Sequence, residues 1–260
     1  MVCVVMLLAP RPVPAEMVSV RHTEGSIHGF LALRSAEGKI LASGDLIQVV
    51  HGDRAVSRVV FRFKDGSIDD ETFVFSLRKN FRLISDHHIQ KGPAFPKPID
   101  VTITTSTGQV TVRYRDKDQQ KVETDHLDLP PDLANGILLD VIKNIAPTAG
   151  ETKLSYVAVT PKPRIVKLVI TAHGEDAFSV AGLPHKATRF NVKIELGGMA
   201  GMIAPLVGKQ PADISVWVVC GEAPAFVKLE GPLYMGGPVW GIEMTSPVWP
   251  RSVASGSRRK

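Results

Sequence analysis

Acidic and imidazole side chains gather in two stretches of this 260-residue chain, Asp69-Asp70-Glu71 and Asp86-His87-His88, with Asp125-His126 further on. Paired carboxylates serve acid–base hydrolysis, and histidines beside carboxylates serve zinc chemistry. The spacing argues against both. Adjacent strand residues point to opposite faces, so His87 and His88 do not ligate one ion without a bulge, and no HExxH-like pair or Cys/His set accompanies them. The three acids border a hairpin and read as a solvated run; the histidines read as surface residues, with His51 and His173 in turns. Phosphate-binding loops fail too. Six residues separate Gly201 from Gly208 where a P-loop needs four, Gln210 follows Lys209 where a hydroxyl is required, and Gly197-Gly198-Met199-Ala200-Gly201 lacks the dinucleotide spacing. No G-x-S-x-G elbow occurs. The expectation is therefore no catalytic residue, no metal, no cofactor and no enzyme.

Two apolar features remain. Gly197 to Gly208 carries no charge, is too rich in glycine for a helix and too apolar for an ordinary exposed loop. It reads either as a connection packed under the sheet or as a flap at the mouth of an apolar cavity, and its thioethers suit both. The residues expected to line or gate such a cavity are Met199, Met202, Ile203, Leu206 and Trp217. Trp217 belongs to a second cluster with Phe226, Tyr234, Trp240 and Trp249, for which core packing and a binding face are the alternatives.

The elements that must position these residues are strands. Val59, Phe61 and Phe63 precede the turn Asp65-Gly66, and Phe73, Phe75 and Leu77 follow; Val101 and Ile103 precede Thr107-Gly108, and Val110, Val112 and Tyr114 follow. Apolar residues at every second position around glycine turns predict antiparallel hairpins. The stretch 91–98 holds three prolines and predicts a stiff connection. Leu133, Ile137, Val141 and Ile145, after Pro130-Pro131-Asp132, predict the one principal helix, Asp132 to Asn144, capped by Asp132 and ended by Pro147. Strands resume at 154–159, 165–170, 190–196, 214–219, 226–229 and 239–244. The expected fold is mainly β, a curved antiparallel sheet, half-open barrel or sandwich covered by that helix, with the helix either dividing two halves or plugging one curved sheet.

The formal charge of +5 is concentrated at the ends. With Arg11, Arg251, Arg258, Arg259 and Lys260 set aside, the body from Glu16 to Pro250 is balanced, which argues against nucleic acid. Residues 251–260 read as a disordered basic tail. The apolar run Val2 to Ala9 followed by Val13-Pro14-Ala15 reads as a truncated signal peptide, residues 1–15, with an apolar first strand as the alternative; the first reading implies a periplasmic or secreted protein with one β-rich domain over 16–250. No stretch is long and apolar enough for a transmembrane helix. Cys220 then has no disulfide partner and reads as an inert strand thiol.

Leu129-Pro130-Pro131-Asp132-Leu133-Ala134-Asn135-Gly136 and the segment from Ala223 to Tyr234 resemble those of uncharacterised exported bacterial proteins of the acidobacterial type, over most of the chain. Those proteins are distantly similar to periplasmic half-barrels of the lipoprotein-carrier kind, a likeness of topology without a motif. The resemblance implies export, a curved sheet closed by a helix, and handling of an apolar ligand. Three functions follow in order: a binding protein for a lipid or other apolar molecule, a structural or interaction protein of the cell envelope with a protein partner, and last a hydrolase.

Overall fold

The computed structural model describes residues 17–22, 24–116, 119–159, 162–180, 183–196 and 211–245. The leader 1–15, the tail 251–260 and Met199, Met202, Ile203 and Leu206 lie outside the described residues. Among the described residues, alternating apolar and polar residues form fourteen strands: β1 (Ile27–Arg34), β2 (Ile40–His51), β3 (Arg54–Phe63), β4 (Ile68–Ser76), β5 (Arg82–Lys91), β6 (Ile99–Thr104), β7 (Gln109–Asp116), β8 (Gln119–His126), β9 (Thr152–Ala158), β10 (Arg164–Val180), β11 (Leu183–Glu195), β12 (Ile214–Val219), β13 (Ala225–Pro232) and β14 (Val239–Thr245). All pair antiparallel in one unclosed sheet of order β8-β7-β6-β5-β4-β3-β2-β1-β14-β13-β12-β11-β10-β9. Two meanders meet where β1 pairs β14, from Phe30 opposite Thr245 to Arg34 opposite Gly241. The ends of the sheet-forming chain thus sit at the centre of the sheet, and its middle supplies both edges.

The sheet curls until its two halves share a core. Phe73, Phe75, Val101, Ile103, Val110 and Val112 pack in one cluster with Leu154, Leu168, Ile170, Phe190, Val192, Val216 and Val218 from the opposite meander. Strand twist and bulges produce this bend, with register shifts after Leu33, Val74, Ala172 and Trp217. His173-Gly174-Glu175, expected as a turn, lies at one of these bulges, inside the 17-residue β10, where Gly174 adopts φ +81°. A second cluster fills another part of the interior. There the proline-rich stretch folds inward, and Phe95 lies edge-on to Phe63 at 5.4 Å beside Trp240.

The connection from β8 to β9 plugs the curl, but the expected helix over Asp132–Asn144 is corrected to a five-residue α1 (Leu138–Ile142). Asp132 caps no helix; its carbonyl accepts from Ser155 N, and its carboxylate faces the Lys167 ammonium at 3.3 Å. Asn135 serves the sheet as well, its amide donating to Val157 O at 3.1 Å and its oxygen accepting from Val157 N at 2.8 Å. Gly136 then turns left-handed at φ +68°, and a Cβ there would stand 2.6 Å from the Phe73 ring. The apolar stripe is nonetheless buried, with Leu133, Ile137, Val141 and Ile142 at most 2% exposed. Burial followed the hydrophobic pattern, while tertiary hydrogen bonds took the groups a longer helix would use.

The convex face carries ion-pair ladders. Arg58 holds Asp70 through two bonds of 2.8 and 2.6 Å, Arg62 holds Asp45, and His87 and Arg113 flank Asp100. Such exposed pairs contribute at most about 1 kcal/mol each and mark this face as hydrated. Among the described residues no helix is long and apolar enough to cross a membrane.

Candidate functional site

The acids expected to be solvated are divided by the sheet. β4 starts at Ile68, so Asp70 points out to Arg58 while Asp69 and Glu71 point into the curl, opposite Gln90 and His88 of β5. This corrects the solvated-run reading, because strand alternation outweighs the hydrophilicity of any one residue. His87 and His88 do part to opposite faces, as their adjacency requires, but only His87 is a surface residue. His88 is interior, next to Val101, and Asp86 lies between Phe73 and Ile103.

The result is an ionisable cluster set among apolar walls. His88 Nε2 lies 2.6 Å from Asp69 Oδ1, and the Gln90 amide donates to Asp69 Oδ2 at 3.3 Å and to Leu233 O at 2.9 Å. Nearby, Ser57 donates to the Gln48 oxygen at 2.7 Å. Asp86 is 3% exposed, and among the described residues its Oδ1 has no hydrogen-bond partner. Tyr156 of β9 reaches the group from the opposite meander, within the electrostatic field of Glu71, Asp86 and Asp69.

The charges follow from this setting. Burial opposes the His88 imidazolium, yet Glu71 across the ladder, the bonded Asp69 and nearby Asp86 outweigh it and hold the group up to about 10. Burial pushes Glu71 toward its protonated form, partly offset by His88. Asp86 is raised well above the usual carboxylate range, first by burial and then by Glu71. Burial, followed by the same acids, keeps the Tyr156 phenol un-ionised. The cluster therefore presents one cation, one bonded carboxylate, two acids driven toward neutrality and a phenol. Chemically, it can donate to and accept from a polar group. Among the described residues no three His, Cys, Asp or Glu side chains are arranged to hold a metal ion.

A second polar cluster lies where the plug meets the N-terminal segment. Lys143 Nζ reaches Glu24 Oε2 at 3.0 Å and Asp140 Oδ1 at 2.9 Å, and the Asn144 oxygen accepts from the backbone N–H groups of Arg21 and His22. Two adjoining hollows of about 170 and 310 Å³ share Arg21 and His22 and run toward Cys220 and Glu222.

Trp217, expected to line the cavity, is placed on the convex face. Val216 and Val218 take the inward positions of β12, so the indole points out, donating to Asp176 Oδ2 at 2.8 Å beneath the Lys228 ammonium at 5.2 Å. Of the expected site residues it alone is described. Asp86, Glu71, His88 and Tyr156 were missed as a group. A usable signal existed in part: Glu71 and Asp69 share the parity of Phe73, as Asp86 and His88 share that of Gln90. The approach of Tyr156 has no local signal.

No family model and no curated protein matches this chain. Among solved structures it is similar to a β-barrel-like protein of domain of unknown function DUF1849 from Brucella abortus, at 9% identity and a TM-score of 0.46 over 91% of this chain and 100% of that one. No residue role is carried over from it.

Proposed function

We propose that this chain is an exported binding protein, periplasmic or secreted, which holds a small amphiphile such as a lipid inside the curl of its sheet and does no chemistry on it. The observation carrying this reading is the unpartnered, buried carboxyl oxygen of Asp86 among Glu71, His88 and Tyr156. A buried polar atom without a partner costs about 1–3 kcal/mol, and a core built only for stability would place an apolar residue there. A ligand hydroxyl, amide or ester could bond to a protonated Asp86, while its hydrocarbon lay along the apolar walls. The unclosed sheet supports access, since among the described residues β8 and β9 do not pair, and displacing the plug breaks its bonds to the β9 edge but no ladder between strands. Hydrolysis by two acids needs one ionised and one protonated partner. Here both oxygens of Asp69 are taken up by His88 and Gln90, and Glu71 and Asp86 are both driven toward protonation.

The test is organic extraction of the purified full chain followed by mass spectrometry, with Asp86→Val in parallel. Stoichiometric amphiphile in the native chain and its depletion in the variant are expected. A native chain that yields no bound molecule and takes up no added fatty acid or phospholipid overturns the reading. A second reading, an envelope interaction protein, is favoured by how fully Phe95, Trp240 and the plug fill the parts of the interior they occupy. One dominant partner on crosslinking in intact cells would select it.

A further inference from the structure

The two edges of the sheet are treated differently. Along β9 the chain covers its own edge: Ala134 N donates to Ser155 O at 2.9 Å, Ser155 N to Asp132 O at 3.3 Å, and the Asn135 amide pairs both backbone groups of Val157. Along β8, pairing runs without a register shift from Gln109–His126 to Asp116–Gln119, on the β7 side only. Among the described residues no strand takes its other edge. An eight-residue edge with no proline and no bulge is a template for another strand. Val122, at its middle and opposite Arg113, is 56% exposed.

We propose that β8 is a docking edge for a second copy of this chain, the two β8 strands pairing antiparallel about Val122. The occupant follows from charge order. A two-fold axis at Val122 sets Val122 against its own copy, Lys121 against Glu123 and Glu123 against Lys121 of the other copy, and Gln120 against Thr124. Every charged cross-strand pair nearest the axis is then of opposite sign, and the contact is isologous, so it closes at two copies. An axis one residue away sets Glu123 against Glu123 or Lys121 against Lys121. Axes falling between residues turn the convex face of one copy onto the concave side of the other. Of the registers centred on Lys121, Val122 and Glu123, only the Val122 register satisfies charge and face together.

The experiment is sedimentation of the full chain across about 1–200 µM, repeated for Lys121→Glu, Glu123→Lys and the two together. The native chain is expected to dimerise. Each single exchange creates two like-charge pairs and should weaken the dimer by about tenfold, while the double exchange restores it to within about threefold. Circular dichroism spectra of all four should coincide, which shows that each variant folds. As a register check, Val122→Cys in a Cys3→Ser, Cys220→Ser background should crosslink to itself on oxidation and Thr124→Cys in the same background should not, because only residues facing their own copy come within disulfide reach. A native chain monomeric throughout the range, or single exchanges that leave the dimer unchanged, overturns the proposal. A dimer that crosslinks equally through Thr124→Cys overturns the register.

Discussion

Lys143 and His88 each sit among acids away from water, and the difference between their surroundings separates a clamp from a site. Lys143 contacts both of its acids within 3.0 Å, and the triad joins three segments, the N-terminal stretch through Glu24, α1 through Asp140 and the turn that follows it. His88 contacts Asp69, but Glu71 acts on it through space and Asp86 keeps an unbonded oxygen. Satisfied ion clusters hold segments in register, whereas unsatisfied ones carry a cost that the fold does not recover. The lesson is to ask of a buried charge whether its bonds are complete.

Breaking the clamp should have the largest effect. Lys143→Met leaves Glu24 and Asp140 buried without their cation and is expected to destabilise the chain by about 3–5 kcal/mol in urea unfolding. A loss below about 1 kcal/mol would place the triad among ordinary surface pairs. The next test is pH. The folded value of His88, about 10, lies above the ordinary 6.5, so between these values the native state keeps a proton the unfolded chain has released. That contribution is complete below pH 6.5 and is lost as pH rises to about 10, a change on the order of 2–4 kcal/mol. Glu71 and Asp86 are raised too, so their effect has the same sign: greatest below about pH 4, declining as pH rises through their folded values. His88→Gln should flatten the slope between pH 6.5 and 10, and a native profile flat over that range would remove the imidazolium from the cluster. Smallest, and opposite in sign to the clamp, is Asp86→Val, expected to stabilise by about 1 kcal/mol at pH 7 in the same urea assay. A destabilisation above about 2 kcal/mol would make the cluster a second clamp and end the comparison.

Much of the architecture was legible before any coordinates. The hairpins around Asp65-Gly66 and Thr107-Gly108 form at the expected residues, because period-two burial and a positive-φ glycine are local properties. The length of β10 was not legible, since its second half, Glu175 to Val180, lacks an apolar alternation and is held by pairing with β11. The plug shows the same division. Its buried stripe was visible in Leu133, Ile137 and Val141, but the shortness of α1 depends on Asp132 and Asn135 bonding to β9, whose partners lie twenty or more residues away. For the candidate site, strand parity assigns a face to Asp69, Glu71, Asp86 and His88, yet parity does not say which face is the interior.

From its residues alone this protein is an antiparallel, mainly β chain with hairpins at stated turns and an apolar segment that must be covered, because propensity, turn chemistry and alternation act over a few neighbouring residues. The three-dimensional arrangement decided which acids are dry, which edge is covered and which faces Tyr156 and Trp217 occupy. Those outcomes depend on how far the sheet curls, a sum of small twists and bulges over fourteen strands that brings together residues some seventy to ninety positions apart.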